Sequence, residues 1–151
     1  MSVCTFLASD DPLPTMKPAQ DYPLVINMDA GTIYDGGADD NYYLLPFSDV
    51  DRYTEKNYGV QFQWHPSEGR AKQIVSYIRT ALMDADCIEL WHGWLTDYYE
   101  FDERPVVHWR NISIQELSCQ DILDLDAAEI WNTPDRQYPQ RPSFYCWTIY
   151  K

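Results

Sequence analysis

The order in which strand-type and helix-type patterns follow one another constrains the fold of this chain more than any other feature of its sequence. Residues 60–64 alternate apolar and polar side chains, which is typical of a half-buried strand. Ser67 is placed to cap a helix, and apolar residues then recur at helical spacing over residues 71–82. We therefore expect a strand followed by an amphipathic helix.

The remaining patterns extend this order to residue 150. Residues 87–94 and 105–112 are two further strand candidates, which we expect to pair as an antiparallel hairpin with a long acidic tip. Residues 118–121 have the spacing of a capping box before a second helix, and residues 144–150 are dense in aromatic and β-branched side chains. The succession strand, helix, strand, strand, helix, strand is the ferredoxin-like order, in which two helices cover one face of a mostly antiparallel sheet.

The length of 151 residues predicts a single α+β domain. Within residues 1–59, short apolar runs at 3–8, 24–28 and 42–45 are separated by Pro and Gly residues that are typical of turns. We expect these runs to be extra strands that extend the sheet or lie across its open face. The predicted organisation is a strand- and loop-rich elaboration over residues 1–59 and a βαββαβ core over residues 60–150.

The chain is strongly acidic and at the same time rich in aromatic residues, with a formal net charge of -13 and 15% Phe, Trp and Tyr. This aromatic content separates it from acidic chains that stay disordered because they cannot bury enough apolar surface. Residues 1–51 carry nine Asp against the single basic residue Lys17, and residues 111–135 carry six acidic residues and no basic one. The charge disfavours direct nucleic-acid binding, because phosphate contacts need Lys and Arg.

The acidic segments either keep the protein in solution or form a docking surface for a cationic partner. A basic protein is the partner that the charge favours, so an inhibitor or immunity-type protein is the leading hypothesis. The candidate binding residues are Asp35, Asp39, Asp40, Asp121, Asp124, Trp91, Trp109 and Trp131. The alternative is a small-molecule or glycan-binding module in which tryptophans line an aromatic face of the sheet.

The histidines suggest a second alternative, a metal-dependent enzyme. If the expected hairpin is symmetric about Glu100, His92 faces His108 directly and Trp91 faces Trp109. Two facing imidazoles can bind a transition metal or transfer protons near neutral pH, although a structural role for strand histidines is the competing interpretation. No third ligand stands at a fixed spacing, and no signature of a catalytic serine or cysteine is present. The sequence favours a binding protein over an enzyme.

No cofactor is predicted from the motifs. Residues 29–41 are rich in Asp and Gly but fail the ligand spacing of a calcium-binding EF-hand, and the four cysteines are too far apart for a zinc-type pair. Residues 1–10 do not resemble a secretory signal, and no apolar stretch approaches the roughly 20 residues that span a bilayer. We therefore expect a cytoplasmic protein with reduced cysteines that does not associate with membranes.

Overall fold

The computed structural model describes residues 3–94, 107–127 and 144–151. Within these residues the fold is α+β, with a mixed six-stranded sheet, a small two-stranded sheet and two α-helices. In chain order the elements are β1 (Val3–Ser9), β2 (Val25–Asn27), β3 (Thr32–Tyr34), β4 (Tyr42–Pro46), a 3₁₀ helix (Ser48–Arg52), β5 (Tyr58–Trp64), α1 (Glu68–Ala81), β6 (Cys87–Trp94), β7 (Val107–Ser113), α2 (Cys119–Asp126) and β8 (Phe144–Tyr150).

Both helices begin where the sequence predicts. The Ser67 side chain accepts a hydrogen bond from the backbone N–H of Arg70 at 3.2 Å and caps α1. At α2 the capping box is complete: Ser118 Oγ accepts from the Asp121 N–H at 3.2 Å, and the Asp121 carboxylate accepts from the Ser118 N–H at 2.9 Å. These bonds satisfy backbone donors that the first turn of a helix leaves without partners.

The large sheet has the strand order β4-β5-β1-β6-β8-β7. Every neighbouring pair is antiparallel except β7 and β8, which are parallel. Because β1 lies between β5 and β6, the connection through α1 crosses over one strand. The connection that contains α2 joins β7 to its parallel neighbour β8, and parallel strands need such a crossover.

The predicted hairpin between β6 and β7 is wrong, because β8 lies between these two strands. Burial explains the arrangement. Phe144, Cys146 and Ile149 of β8 are fully buried on both faces of the sheet, whereas β7 is exposed over residues 108–111. A strand that is apolar on both faces belongs in the interior of a sheet, and a polar strand suits an edge. The succession of elements along residues 60–150 is as expected, but the ferredoxin-like order is not confirmed.

The three runs expected as strands in residues 1–59 form β1, β2 and β4. Their places in the fold differ. β1 lies inside the large sheet, and β4 forms the edge opposite β7. β2 pairs with β3, a strand that the sequence did not predict. The large sheet therefore combines strands from both parts of the predicted organisation.

Two apolar clusters occupy opposite faces of the large sheet, because side chains alternate along each strand. The cluster on the helix side includes Leu7, Leu44, Val60, Ile74, Ile78, Leu90, Ile122 and Ile149. The cluster on the opposite side consists of Phe6, Ala8, Phe47, Val50, Trp91, Phe144 and Cys146. We refer to these as the helix-side core and the aromatic core.

Candidate functional site

Trp91 and Trp109 meet across the strand that separates them. Each is paired in register with Cys146 of β8, so the two tryptophans lie in one row on the same face of the sheet. Because the cysteine side chain is small, the indoles make contact above it, with ring centroids 5.7 Å apart and an interplanar angle of 77°. The predicted direct strand pairing of these residues is wrong, but their side chains do come together.

The two tryptophans differ in what surrounds them. Trp91 is buried in the aromatic core, where its ring stacks on Phe6 with centroids 5.8 Å apart. The Phe6 ring also contacts the Phe47 ring, with centroids 4.5 Å apart, so both phenylalanines support the Trp91 ring inside the core. Trp109 has 64% of its surface exposed. Trp91 is thus a core residue, and Trp109 is the member of the pair that can meet a ligand.

A cavity of about 470 Å³ lies beside this pair, and we call it the aromatic pocket; its lining includes Trp91, Trp109, Tyr53, Thr54, Glu89 and Lys56. Glu89 is not one of the predicted binding residues. Its carboxylate accepts hydrogen bonds from the Thr54 hydroxyl and, at 3.4 Å, from Trp91 Nε1. Lys56 pairs with Asp10 at 2.8 Å, and this hydrogen bond raises the pKa of the lysine. The pocket therefore combines one exposed indole with charged groups that are already held in place.

His92 and His108 also share a row, since both are paired with Tyr145 of β8. The Tyr145 side chain therefore stands between them, and the exposed His108 ring stacks on it at 5.0 Å. The predicted direct facing of the two imidazoles is wrong. Among residues 3–94, 107–127 and 144–151, no group of three His, Cys, Asp or Glu side chains is close enough to hold a metal ion.

His92 has a buried, neutral imidazole. It is only 3% exposed, and its Nδ1 lies 2.7 Å from the Thr5 hydroxyl. Nε2 has no hydrogen-bond partner among the described residues. Burial lowers the pKa of His92 to about 4, because the charged form loses its hydration. The ring lines a cavity of about 190 Å³ together with Trp64 and Asp126.

Asp35 and Asp40 have intramolecular partners. Asp35 forms a bidentate ion pair with Arg70, with N–O distances of 2.6 and 3.1 Å, and this bond holds the pKa of the carboxyl below its usual range. Asp40 accepts from the Tyr22 hydroxyl at 2.5 Å, which lowers the pKa of the Asp40 carboxyl. Asp39 is exposed and lies against Gly69 in the first turn of α1, where negative charge is favourable. The contacts of Asp35 and Asp39 therefore connect this part of the chain to the first turn of α1.

The second acidic segment is placed at α2. Asp121 belongs to the capping box and lies 3.6 Å from the Arg110 guanidinium. Asp124 is exposed and accepts a hydrogen bond from Gln120 Nε2 at 2.9 Å. Trp131, the remaining predicted binding residue, lies outside the described residues. Asp121 and Asp124 therefore have partners within α2, its cap and β7.

The structure also presents an exposed apolar surface that sequence analysis missed. Residues 24–34, which we call the apolar hairpin, contain β2 and β3 joined by a turn that ends at Gly31, whose φ is +64°. Its large apolar side chains are 52–85% exposed and comprise Leu24, Val25, Ile26, Met28, Ile33 and Tyr34. An Asp-Ala-Gly turn between two short apolar runs is the sequence signal that could have revealed the hairpin.

The base of the apolar hairpin is held firmly. Gly36 adopts a φ of +65°, and a Cβ on this residue would lie 2.0 Å from the Pro23 carbonyl oxygen, so only glycine fits. Asp35, which directly follows β3, is the residue that pairs with Arg70. The hairpin therefore projects from a fixed stem while its own side chains remain in solvent.

Comparison of the chain with protein-family models, with curated proteins and with solved structures finds no match. Within the ranges that the structure describes, no helix has the length and apolar character that a membrane crossing requires.

Proposed function

We propose that this chain is a binding protein of the inhibitor or immunity type, which docks a basic protein through the apolar hairpin. The observation that carries the proposal is the exposure of six large apolar side chains on a short hairpin with a rigid stem. Ile26 and Ile33 are cross-strand partners on one face of the hairpin, and Val25 and Tyr34 are partners on the other. Exposed apolar side chains grouped in this way commonly mark a site of interaction. Two strands of three residues cannot bury such side chains by themselves.

Charge indicates which kind of partner would bind. Residues 18–51 carry seven Asp and no Lys or Arg, so the segment of the chain that contains the apolar hairpin is acidic. Only Asp35 among these is neutralised by a buried arginine, Arg70. A partner with an apolar centre and a basic rim would gain apolar burial from the hairpin and faster encounter from the opposite charge. Such an interaction weakens as salt screens the exposed charges.

A photo-crosslinking amino acid at two positions tests the proposal in cells that make the protein. Ile33 is replaced in the apolar hairpin, and Met83, which is 76% exposed after α1, is the matched control. We expect an adduct with one basic protein from position 33 and none from position 83. The same adducts from both positions, or an acidic partner, would contradict the proposal.

The purified partner then allows a quantitative test. The double substitution Ile26→Ser and Ile33→Ser should weaken binding by roughly thirtyfold or more, as expected for the loss of central apolar anchors. Affinity for the unsubstituted protein should fall steeply between low and high salt. Affinity that is unaffected by both changes would place the contact elsewhere on the molecule.

A second candidate function is the binding of a small polar molecule or glycan in the aromatic pocket. The exposed Trp109 indole beside the Glu89 carboxylate favours it, because sugars stack on indoles and donate hydroxyl hydrogen bonds to carboxylates. Titration with a panel of soluble oligosaccharides, followed by tryptophan fluorescence, is the test. Saturable quenching should disappear with Trp109→Ala and persist with Tyr58→Ala, a change at another exposed strand residue. A lack of saturable quenching across the panel would count against this function.

A further inference from the structure

Residues 11–16, which we call the strap, leave the end of β1 and pass over the helix side of the molecule. The strap is fastened at two points. Met16 and Leu44 exchange two backbone hydrogen bonds of 3.0 Å, and the Tyr77 hydroxyl of α1 donates to the Pro14 carbonyl oxygen at 2.5 Å. Pro12 and Pro14 also restrict the backbone of the strap. The strap is therefore a fixed part of the surface.

A cavity of about 360 Å³ lies between the strap, β4 and α1, and we call it the strap cavity. This volume is within the range of small-molecule binding sites. The side chains that the argument uses are Leu13, Met16, Tyr42 and Tyr77, which are apolar or aromatic, and the carboxylates Asp11 and Asp84. Tyr42 is buried, and burial raises the pKa of its hydroxyl, so its ring stays neutral.

The charged side chains that line the strap cavity are all acidic. Asp11 and Asp84 are the charged residues that line the strap cavity, and no Lys, Arg or His lines it. Within the part of the chain that the structure describes, neither carboxylate forms an ion pair or accepts a hydrogen bond from a side chain. Two unpaired carboxylates beside an apolar enclosure complement a cation with an apolar body.

We propose that the strap cavity binds a small organic amine, in which an apolar body contacts Leu13, Met16 and the tyrosine rings and an ammonium group meets Asp11 and Asp84. Tyrosine faces add to this selectivity, because the π-electron density of an aromatic ring attracts a nearby cation. The site is separate from the apolar hairpin and from the aromatic pocket, so it does not depend on the function proposed for either.

Titration of the ¹⁵N-labelled protein with 2-phenylethylamine tests the proposal, followed by amide chemical shifts. We expect saturable shifts centred on Leu13, Ser76 and Thr80. Two probes of similar size and different charge, 2-phenylethanol and 3-phenylpropionate, should bind more weakly or not at all. Equal binding of the amine and the alcohol, or amine-induced shifts centred outside the cavity, would overturn the proposal.

Substitutions separate the contribution of the charge from that of the cavity. Asp11→Asn combined with Asp84→Asn should weaken amine binding roughly tenfold or more, the loss expected for charge-assisted hydrogen bonds. Asp86→Asn, at an exposed position that does not line the cavity, is the matched control and should bind as the unsubstituted protein does. Ser76→Trp should fill the cavity and abolish binding, with thermal unfolding confirming that each variant is folded. Undiminished binding by the double Asn variant would refute the assigned role of the carboxylates.

Discussion

The apolar hairpin and the helix-side core contain the same kinds of side chain in opposite environments. Ile33 of the hairpin is 72% exposed, whereas Ile74 of α1 is fully buried between the helix and the sheet. Strands of five to eight residues and two helices enclose the core, but no helix or third strand among the described residues covers the hairpin. The comparison shows that apolar residues stabilise the fold in one region and remain available for contact in the other.

The largest expected difference between the two regions concerns one identical substitution. Ile74→Ala should lower the free energy of unfolding by about 4 kcal/mol, because it leaves a cavity in a closely packed core. Ile33→Ala should change it by less than about 0.5 kcal/mol, because the side chain is already in water. Urea denaturation measures both. Similar values for the two variants would mean that the hairpin is packed as the core is.

The stem of the hairpin provides the next test. Asp35→Asn should destabilise the protein by about 3 kcal/mol at neutral pH, because the Arg70 guanidinium stays buried without its partner. Since the folded-state pKa of Asp35 is lowered, its contribution is present above the ordinary pKa and is lost as the pH falls through the folded-state value. The unsubstituted protein should therefore lose more stability than the variant below about pH 4.

Amide hydrogen exchange identifies the strands that Asp35→Asn destabilises. We expect faster exchange in β2 and β3 of the variant and little change in β6 and β8. Asp49→Asn is the control, because its ion pair with Arg52 is exposed. Uniformly faster exchange in Asp35→Asn would mean that the Asp35–Arg70 ion pair stabilises the whole fold and not the stem in particular.

His92 and His108 lie on one row of the sheet, and His92 is buried whereas His108 is exposed. They therefore allow a buried and an exposed imidazole to be compared. The pKa of His92 is lowered to about 4, so its contribution to stability is complete above the unfolded pKa and declines as the pH falls toward the folded value. The unsubstituted protein should lose about 2 kcal/mol between pH 7 and pH 5 through this group. His92→Asn should remove that pH dependence, whereas His108→Asn, at an exposed position, should retain it. Urea midpoints across this pH range measure the difference.

A double substitution in the apolar hairpin should affect binding much more than stability. Ile26→Ser and Ile33→Ser together should leave the unfolding free energy within about 1 kcal/mol, because both side chains are exposed. The same variant should bind the proposed basic partner roughly thirtyfold or more weakly. Retained binding, or a large loss of stability, would remove the distinction between a packed core and an available surface.

Local patterns predicted most of the elements from sequence. The caps at Ser67 and Ser118 and the strand of residues 87–94 are confirmed, because they depend on neighbours within a few residues. The predicted pairing of β6 with β7 is wrong, because the strand that lies between them, β8, comes from the distant residues 144–150. Pairing between distant segments depends on which strands can be buried on both faces.

In the candidate sites too, local features could be predicted from the sequence, whereas contacts between distant segments could not. Trp91 and Trp109 could be assigned to one row from the sequence, but only the intervening Cys146 explains how their rings meet. Asp35 is a predicted binding residue, and the structure shows that it forms an ion pair with Arg70. In the aromatic pocket the Glu89 carboxylate accepts a hydrogen bond from Thr54, which is 35 residues away in the chain.

The sequence by itself determined the strongly acidic character of this protein, its aromatic content, and the position of its caps and of most strands, since these depend on composition and short-range periodicity. Only the tertiary structure decided that β1 and β8 lie inside the large sheet, that Asp35 is paired with Arg70, and that the side chains of the apolar hairpin stay in solvent. The physical reason is that burial is a property of the whole assembled fold. An isoleucine has the same local preference at position 33 as at position 74, and the surrounding elements decide whether it is covered.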